Sequence, residues 1–335
     1  MQAAIYAPAG PELTPDERAF FRDADAAGYI LFKRNCIDQV QLLQLTDSFR
    51  DISGRPDVPI LIDQEGGRVM RMQPPNWPAF PPADAFARLY QAAPSSAIEA
   101  ARSNARAIAL TLRACGINVN CLPLLDVRQE GASDIIGDRA LGADPMQVAA
   151  LGRAVLDGMA SAGVVGVVKH MPGHGRALVD SHKELPVVTA SAEELDIDLE
   201  PFERLRAAPM GMTAHVVYTA WDPDLPASLS PTVIGDIIRG RIGFEGWLMS
   251  DDLSMEALSG DAGTRAAGVI AAGCDVALHC NGEMAEMVAV ASSVPAMSAD
   301  GEARLARAMA TARVEDEGAD FAEAVAKRDA LLALV

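Results

Sequence analysis

The chain has 335 residues, of which 50% are hydrophobic, 22% charged and only 5% aromatic; this describes a globular protein with an aliphatic core and excludes a disordered one. Acidic side chains outnumber basic ones 46 to 28, for a formal charge of −18, so the positive footprint of a nucleic-acid or anionic-membrane binder is missing. The opening MQAAIYAPAGPELTPDERAF has no basic segment followed by an apolar one, and no stretch stays apolar for the ~18 residues of a membrane span. A soluble, unexported, cytoplasmic protein is therefore expected. Cys36, Cys115, Cys121, Cys274 and Cys280 form no CxxC pair, which suits a reducing compartment and argues against a structural zinc site.

Aliphatic runs occur at residues 3–6, 28–32, 58–63, 117–120, 164–169, 210–215, 246–250 and 274–279. They are continuous and do not alternate, as in strands buried on both faces of a parallel sheet. Helical stretches lie between them. Residues 97–114 form one, closed by Gly116, and Asp144-Pro145 is an N-cap with proline at the first helical position of another that runs to Gly163. Ser191 and Glu194 form a capping box ahead of the Leu195, Leu199, Phe202 and Leu205 stripe, and Ser230-Pro231 opens a helix ending near Gly243. Eight strands alternating with helices, with no linker between them, predict a single-domain (β/α)8 TIM barrel over residues 1–335. An Ala-rich helical tail from about residue 298 is expected outside that barrel.

In such a barrel the chemistry sits at the C-terminal ends of the strands. The polar side chains that end the runs are Asp63, Lys169, His170, His215, Asp251 and His279. All five histidines (170, 174, 182, 215 and 279) fall at such ends or in the loop after Lys169, a clustering that a structural scatter would rarely produce. His170 and His174 have the i, i+4 spacing of a helical metal pair, but Pro172, Gly173 and Gly175 argue against a helix there. A metal-dependent hydrolase using His170, His174, Asp63 and Asp251 would also lack the usual His-x-His after an early strand. Asp180 and His182 are two apart, so in an extended stretch both side chains leave the same face. A carboxylate beside an imidazole orients the ring and raises its pKa, as a proton donor near neutral pH requires. The glycines of the 172–182 segment suit a loop that opens for substrate and closes over it.

Lys169-His170-Met171-Pro172-Gly173-His174-Gly175 followed by Asp180-Ser181-His182 resembles the signature of glycoside hydrolase family 3, in its bacterial β-N-acetylglucosaminidase branch. Asp-Gln-Glu-Gly-Gly-Arg-Val at 63–69, Gly-Asp-Arg at 137–139, Met-Thr-Ala-His-Val at 212–216 and Ser-Asp-Asp-Leu-Ser-Met at 250–255 match in the family's order. The resemblance implies a (β/α)8 barrel and a retaining double displacement without a cofactor. By motif, Asp251 is the nucleophile, His182 is the acid/base held by Asp180, and Asp63, Arg139, Lys169 and His170 hold the terminal N-acetylglucosamine. The implied substrate is a small carbohydrate, a muropeptide whose second sugar is 1,6-anhydro-N-acetylmuramic acid, from which terminal N-acetylglucosamine is released in cell-wall recycling. Met171 in place of a more usual phenylalanine, and Gly137 to Leu141 in place of a Ser-Phe ending, are departures that spare every proton-transferring group. A family 3 glycosidase or phosphorylase of other sugar specificity remains an alternative, because a histidine acid/base carries no negative charge to repel phosphate. A catalytically silent sugar-binding protein is another, disfavoured by the intact Asp251, His182 and Asp180.

Overall fold

The computed structural model describes residues 1–181, 183–312 and 320–335. Eight parallel strands, β1 (Gln2–Tyr6), β2 (Ala26–Leu31), β3 (Ile60–Ile62), β4 (Val119–Asn120), β5 (Val165–Met171), β6 (Met210–Thr213), β7 (Trp247–Asp252) and β8 (Val276–His279), close into a barrel in chain order. Closure is made by β1 on β8, with Tyr6 opposite His279. Helices separate the strands and wrap the outside, so the TIM-barrel architecture is as expected. Among the described residues no helix is long and apolar enough to cross a membrane.

Successive side chains on a strand point to opposite faces, and the burial follows that period. Ala3 and Ile5 on β1, Val165 and Val167 on β5, Trp247 and Met249 on β7, and Val276 and Leu278 on β8 share one cluster inside the barrel. The alternate positions, such as Ala4, Tyr6, Val168, Leu248 and Ala277, pack outward against the helices. With both faces buried, the strands read as unbroken aliphatic runs.

The helix punctuation is made as the residues suggest. Asp144 accepts the backbone N–H of Gln147 (2.8 Å) and opens Pro145–Ser161. Ser230 Oγ accepts from Val233 (3.1 Å) ahead of the π-helix Val233–Arg241. The Ser191/Glu194 box also forms, at 2.7 and 3.2 Å, but the helix begins only at Asp196. The bonds from Asp196 N–H to Glu193 and from Asp198 N–H to Leu195 are of the tighter i→i−3 type, so the box closes a turn that leads into the helix.

The C-terminal stretch divides in two. Phe321–Leu332 packs outside on Pro94–Arg113, where Arg328 donates to Asn104 Oδ1 (3.1 Å). Ala299–Met309 instead closes the barrel's N-terminal end, because Leu305 and Ala308 join the inner cluster. The backbone just before it, at Pro295 and Met297, bonds to Ala3 and Met1 at the start of β1. Amphipathic periodicity marks a helix but not the surface it covers, which is why the expected external tail covers only part of what forms.

Candidate active site

The inward phase of the strands carries the site. On β5 the series Val165, Val167 continues to Lys169; on β7 Trp247, Met249 continues to Asp251; on β3 Leu61 leads to Asp63. At the C-terminal mouth these three side chains border a cavity of about 320 Å³, which Arg139, His170 and Asp180 also line. Six of the seven sequence-derived site residues thus meet in one cavity; the seventh, His182, lies outside the described residues. A larger groove of about 890 Å³ lies among the outer helices, between Met146, Arg153, Glu200 and Arg241.

Charged groups at the mouth form one connected set. Lys169 Nζ, on a side chain 2% exposed, contacts Asp63 Oδ1 at 3.0 Å and Glu65 Oε1 at 2.7 Å. Arg139 grips Glu65 with two bonds of 2.8 Å, and Arg71 reaches Asp63 Oδ2 at 2.9 Å. Burial alone would push both carboxyls up, yet Lys169 and Arg71 hold Asp63 well below the usual carboxylate range. Lys169 and Arg139 likewise hold Glu65 at about 2. Burial works against the Lys169 ammonium too, but Glu65 and Asp63 lift it above its ordinary value. All members are therefore ionised at neutral pH, and charge-assisted donors and acceptors of this kind suit a polyhydroxylated ligand.

Adjacent aspartates at the end of β7 are used differently. Asp251 Oδ1 accepts the backbone N–H of Asp252 (2.8 Å) and its side chain borders the cavity. Asp252 Oδ1 accepts from the amides of Ser254 (2.9 Å) and Cys280 (3.2 Å), which ties the β7 end to the β8 end. Two histidines prominent in the sequence lie off the cavity. His215 is fully buried, with Nδ1 2.7 Å from Ser228 Oγ and Nε2 2.9 Å from the Asp252 carbonyl. His279 is also fully buried, on the outward phase of β8.

Asp126, just beyond β4, organises the segment after Lys169. Its Oδ2 lies 2.8 Å from His170 Nδ1, while Oδ1 accepts the backbone N–H groups of His170 (3.2 Å) and His174 (2.7 Å). Burial would raise this carboxyl, but His170 holds it at about 2. Gly175 passes so close to the chain that a Cβ there would sit 1.9 Å from the Val127 carbonyl oxygen. Arg176 Nε donates to the buried Asp198 (2.6 Å), and Tyr218 donates to the Gly173 carbonyl (2.7 Å). The described part of the loop therefore rests against the barrel mouth.

Sequence reasoning missed Glu65, Arg71 and Asp126. The first two lie in the hairpin of Gln64–Gly66 and Val69–Met70, or one residue past it, whose fold-back over the mouth no period-two pattern announces. A carboxylate after the apolar pair Leu124-Leu125 was the available signal for Asp126.

Residues 8–314 match the glycosyl hydrolase family 3 N-terminal domain. A β-hexosaminidase of Bordetella avium is 39% identical over 278 residues, covering 82% of this chain and 79% of that relative. One from Aromatoleum aromaticum is 41% identical over 281 residues, covering 82% and 77%. Among solved structures, native NagZ from Neisseria gonorrhoeae superposes with a TM-score of 0.88 at 31% identity, covering 99% of this chain and 98% of that one. The same protein in complex with N-trifluoroacetyl-D-glucosamine gives 0.86, also at 31% identity and with the same coverage.

Proposed function

The chain belongs to glycosyl hydrolase family 3, and from that premise we propose that this β-N-acetylhexosaminidase removes a terminal β-N-acetylglucosamine by a retaining double displacement. Asp251 attacks the anomeric carbon and forms a glycosyl-enzyme, while His182, oriented by Asp180, protonates the leaving oxygen. The same imidazole then takes a proton from the water that attacks the intermediate, and the configuration is retained. Asp63, Arg139, Lys169 and His170 hold the sugar, with Glu65 and Arg71 fixing the charges around it.

One observation carries the assignment of the nucleophile. Both aspartates border the cavity, but Asp251 stands on the inward phase of β7, whereas Asp252 already accepts two backbone amides and braces the strand ends. The sugar specificity is supported by the gonococcal relative that binds an N-acylated glucosamine. In the same reading the natural substrates are muropeptides ending in 1,6-anhydro-N-acetylmuramic acid, cleaved in the cytoplasm during cell-wall recycling.

Turnover of an aryl β-N-acetylglucosaminide against the matching β-glucoside, with and without phosphate, tests the activity. The expected result is preference for the N-acetylated sugar, with β-N-acetylglucosamine as the first product seen by NMR. Release of the α-anomer, or preference for the glucoside, would overturn the reading. Accumulation of the sugar 1-phosphate would identify a phosphorylase.

A further inference from the structure

His174 borders the cavity four residues after His170, and the double displacement gives it no role. Its ring is 3% exposed; Nε2 lies 3.1 Å from Ser181 Oγ, and Nδ1 has no partner among the described residues. A buried imidazole with one nitrogen left unpaired is costly, so a residue needed only to fill space would more economically be apolar. Ser181, itself 3% exposed, is the residue between Asp180 and His182 in the sequence. We propose that His174 is a positioning residue for the acid/base, acting through Ser181 on the adjacent Asp180, which borders the cavity.

The backbone geometry supports this. Asp126 Oδ1 takes the His174 N–H, and its other oxygen lies against the His170 ring. One buried carboxylate thus sets both a sugar-binding histidine and the loop's anchor, whose rings stand edge to face at 5.7 Å. From His174 to Ser181 the chain passes through Gly175, and Leu178 is 70% exposed. Covalent connectivity alone fixes such a segment poorly, so the side-chain bond across it matters. Burial and the neighbouring His170 push the His174 ring down to about 4. It is neutral at working pH and contributes geometry rather than charge.

This inference rests on the acid/base reading above, and the experiment separates the two. Ser181→Ala, His174→Gln and His182→Ala are each assayed on an activated aryl N-acetylglucosaminide and on one with a poor leaving group, with thermal unfolding as a control for folding. Only the poor leaving group needs protonation in the first step. Loss of one ordinary hydrogen bond predicts about a ten-fold fall in kcat/KM for Ser181→Ala on the poor leaving group, against less than about two-fold on the activated one. Ser181→Thr, which keeps the hydroxyl, should restore most of the difference. Equal losses on both substrates in Ser181→Ala, while His182→Ala discriminates between them, would overturn the role of His174 alone. Equal losses in His182→Ala would bring down the acid/base reading and this inference with it.

Discussion

Both ends of the barrel bury charged groups, and at the C-terminal end those groups surround the cavity that holds the sequence-derived site residues. At the N-terminal end, Asp275 Oδ2 accepts from Arg239 and from the Leu248 amide, both at 2.9 Å, and Oδ1 accepts from Arg304 at 2.8 Å. Leu305, on the same helix as Arg304, joins the inner barrel core. At the C-terminal end, Asp63, Glu65, Lys169, Arg139 and Arg71 are paired just as thoroughly, but they stand around about 320 Å³ of space together with Asp251. Buried ion pairs alone therefore do not mark a site. What separates the two ends is a carboxylate aimed into volume that a ligand can take.

The largest expected effect breaks the symmetry at its chemical end. If Asp251 is the nucleophile, as proposed, Asp251→Ala should lower turnover on the order of 10⁴-fold or more with unfolding unchanged. Asp252→Asn should instead lower Tm, because it weakens the acceptor shared by Ser254 and Cys280. A trapped fluorosugar adduct on Asp252, read by mass spectrometry, would reverse the two assignments.

Lys169→Met is expected to combine both kinds of damage. It leaves Asp63 and Glu65 buried with two cations where there were three, at a cost of about 3–5 kcal/mol typical of a broken buried pair. The kcat/KM should fall in the same variant, since the ammonium borders the cavity. A full loss of activity at unchanged Tm would mean that the network is held by something other than this lysine.

What the sequence reveals follows from the same distinction. Strands buried on both faces write themselves as aliphatic runs, so the expected 164–169 and 246–250 fall on β5 (Val165–Met171) and β7 (Trp247–Asp252). Asp63, Lys169 and Asp251 are legible because each ends such a run on the inward phase. Arg139 ends no run, and only the family resemblance brings it forward. Glu65 and Arg71 depend on how a hairpin folds back, and Asp126 on a strand only two residues long, Val119–Asn120. Nor does local pattern say that Ala299–Met309 plugs the barrel, for its partners at Met1 and Ala3 lie at the far end of the chain.

At the closed end, Arg304→Met should lower stability by about 1–3 kcal/mol, the cost of leaving one oxygen of a buried carboxylate underpaired. Asp275 keeps Arg239 and the Leu248 amide, so the barrel still forms. Neither kcat nor KM should change, because Asp275 and the cavity at the mouth are at opposite ends of the strands. A changed KM would show that the two ends are coupled through the barrel wall.

The last effect concerns acid stability and belongs to His174. Its ring is held near 4 in the folded protein by burial and by His170, despite the opposing pull of Asp126 and Asp251, while an unfolded histidine titrates near 6.5. Between those values the unfolded chain binds a proton that the folded one refuses, so stability falls as pH drops from about 6.5 to about 4 and is fully retained above that window. His174→Gln has no group titrating there. Its Tm should start below that of the parent at pH 7, because the contact to Ser181 is altered. The gap should then narrow steadily as the pH is lowered to about 4, a course that unfolding scans at half-unit intervals would follow. A gap that stays constant over the window would mean that His174 takes up its proton in the folded state as readily as in the unfolded one, so that burial does not keep the ring neutral.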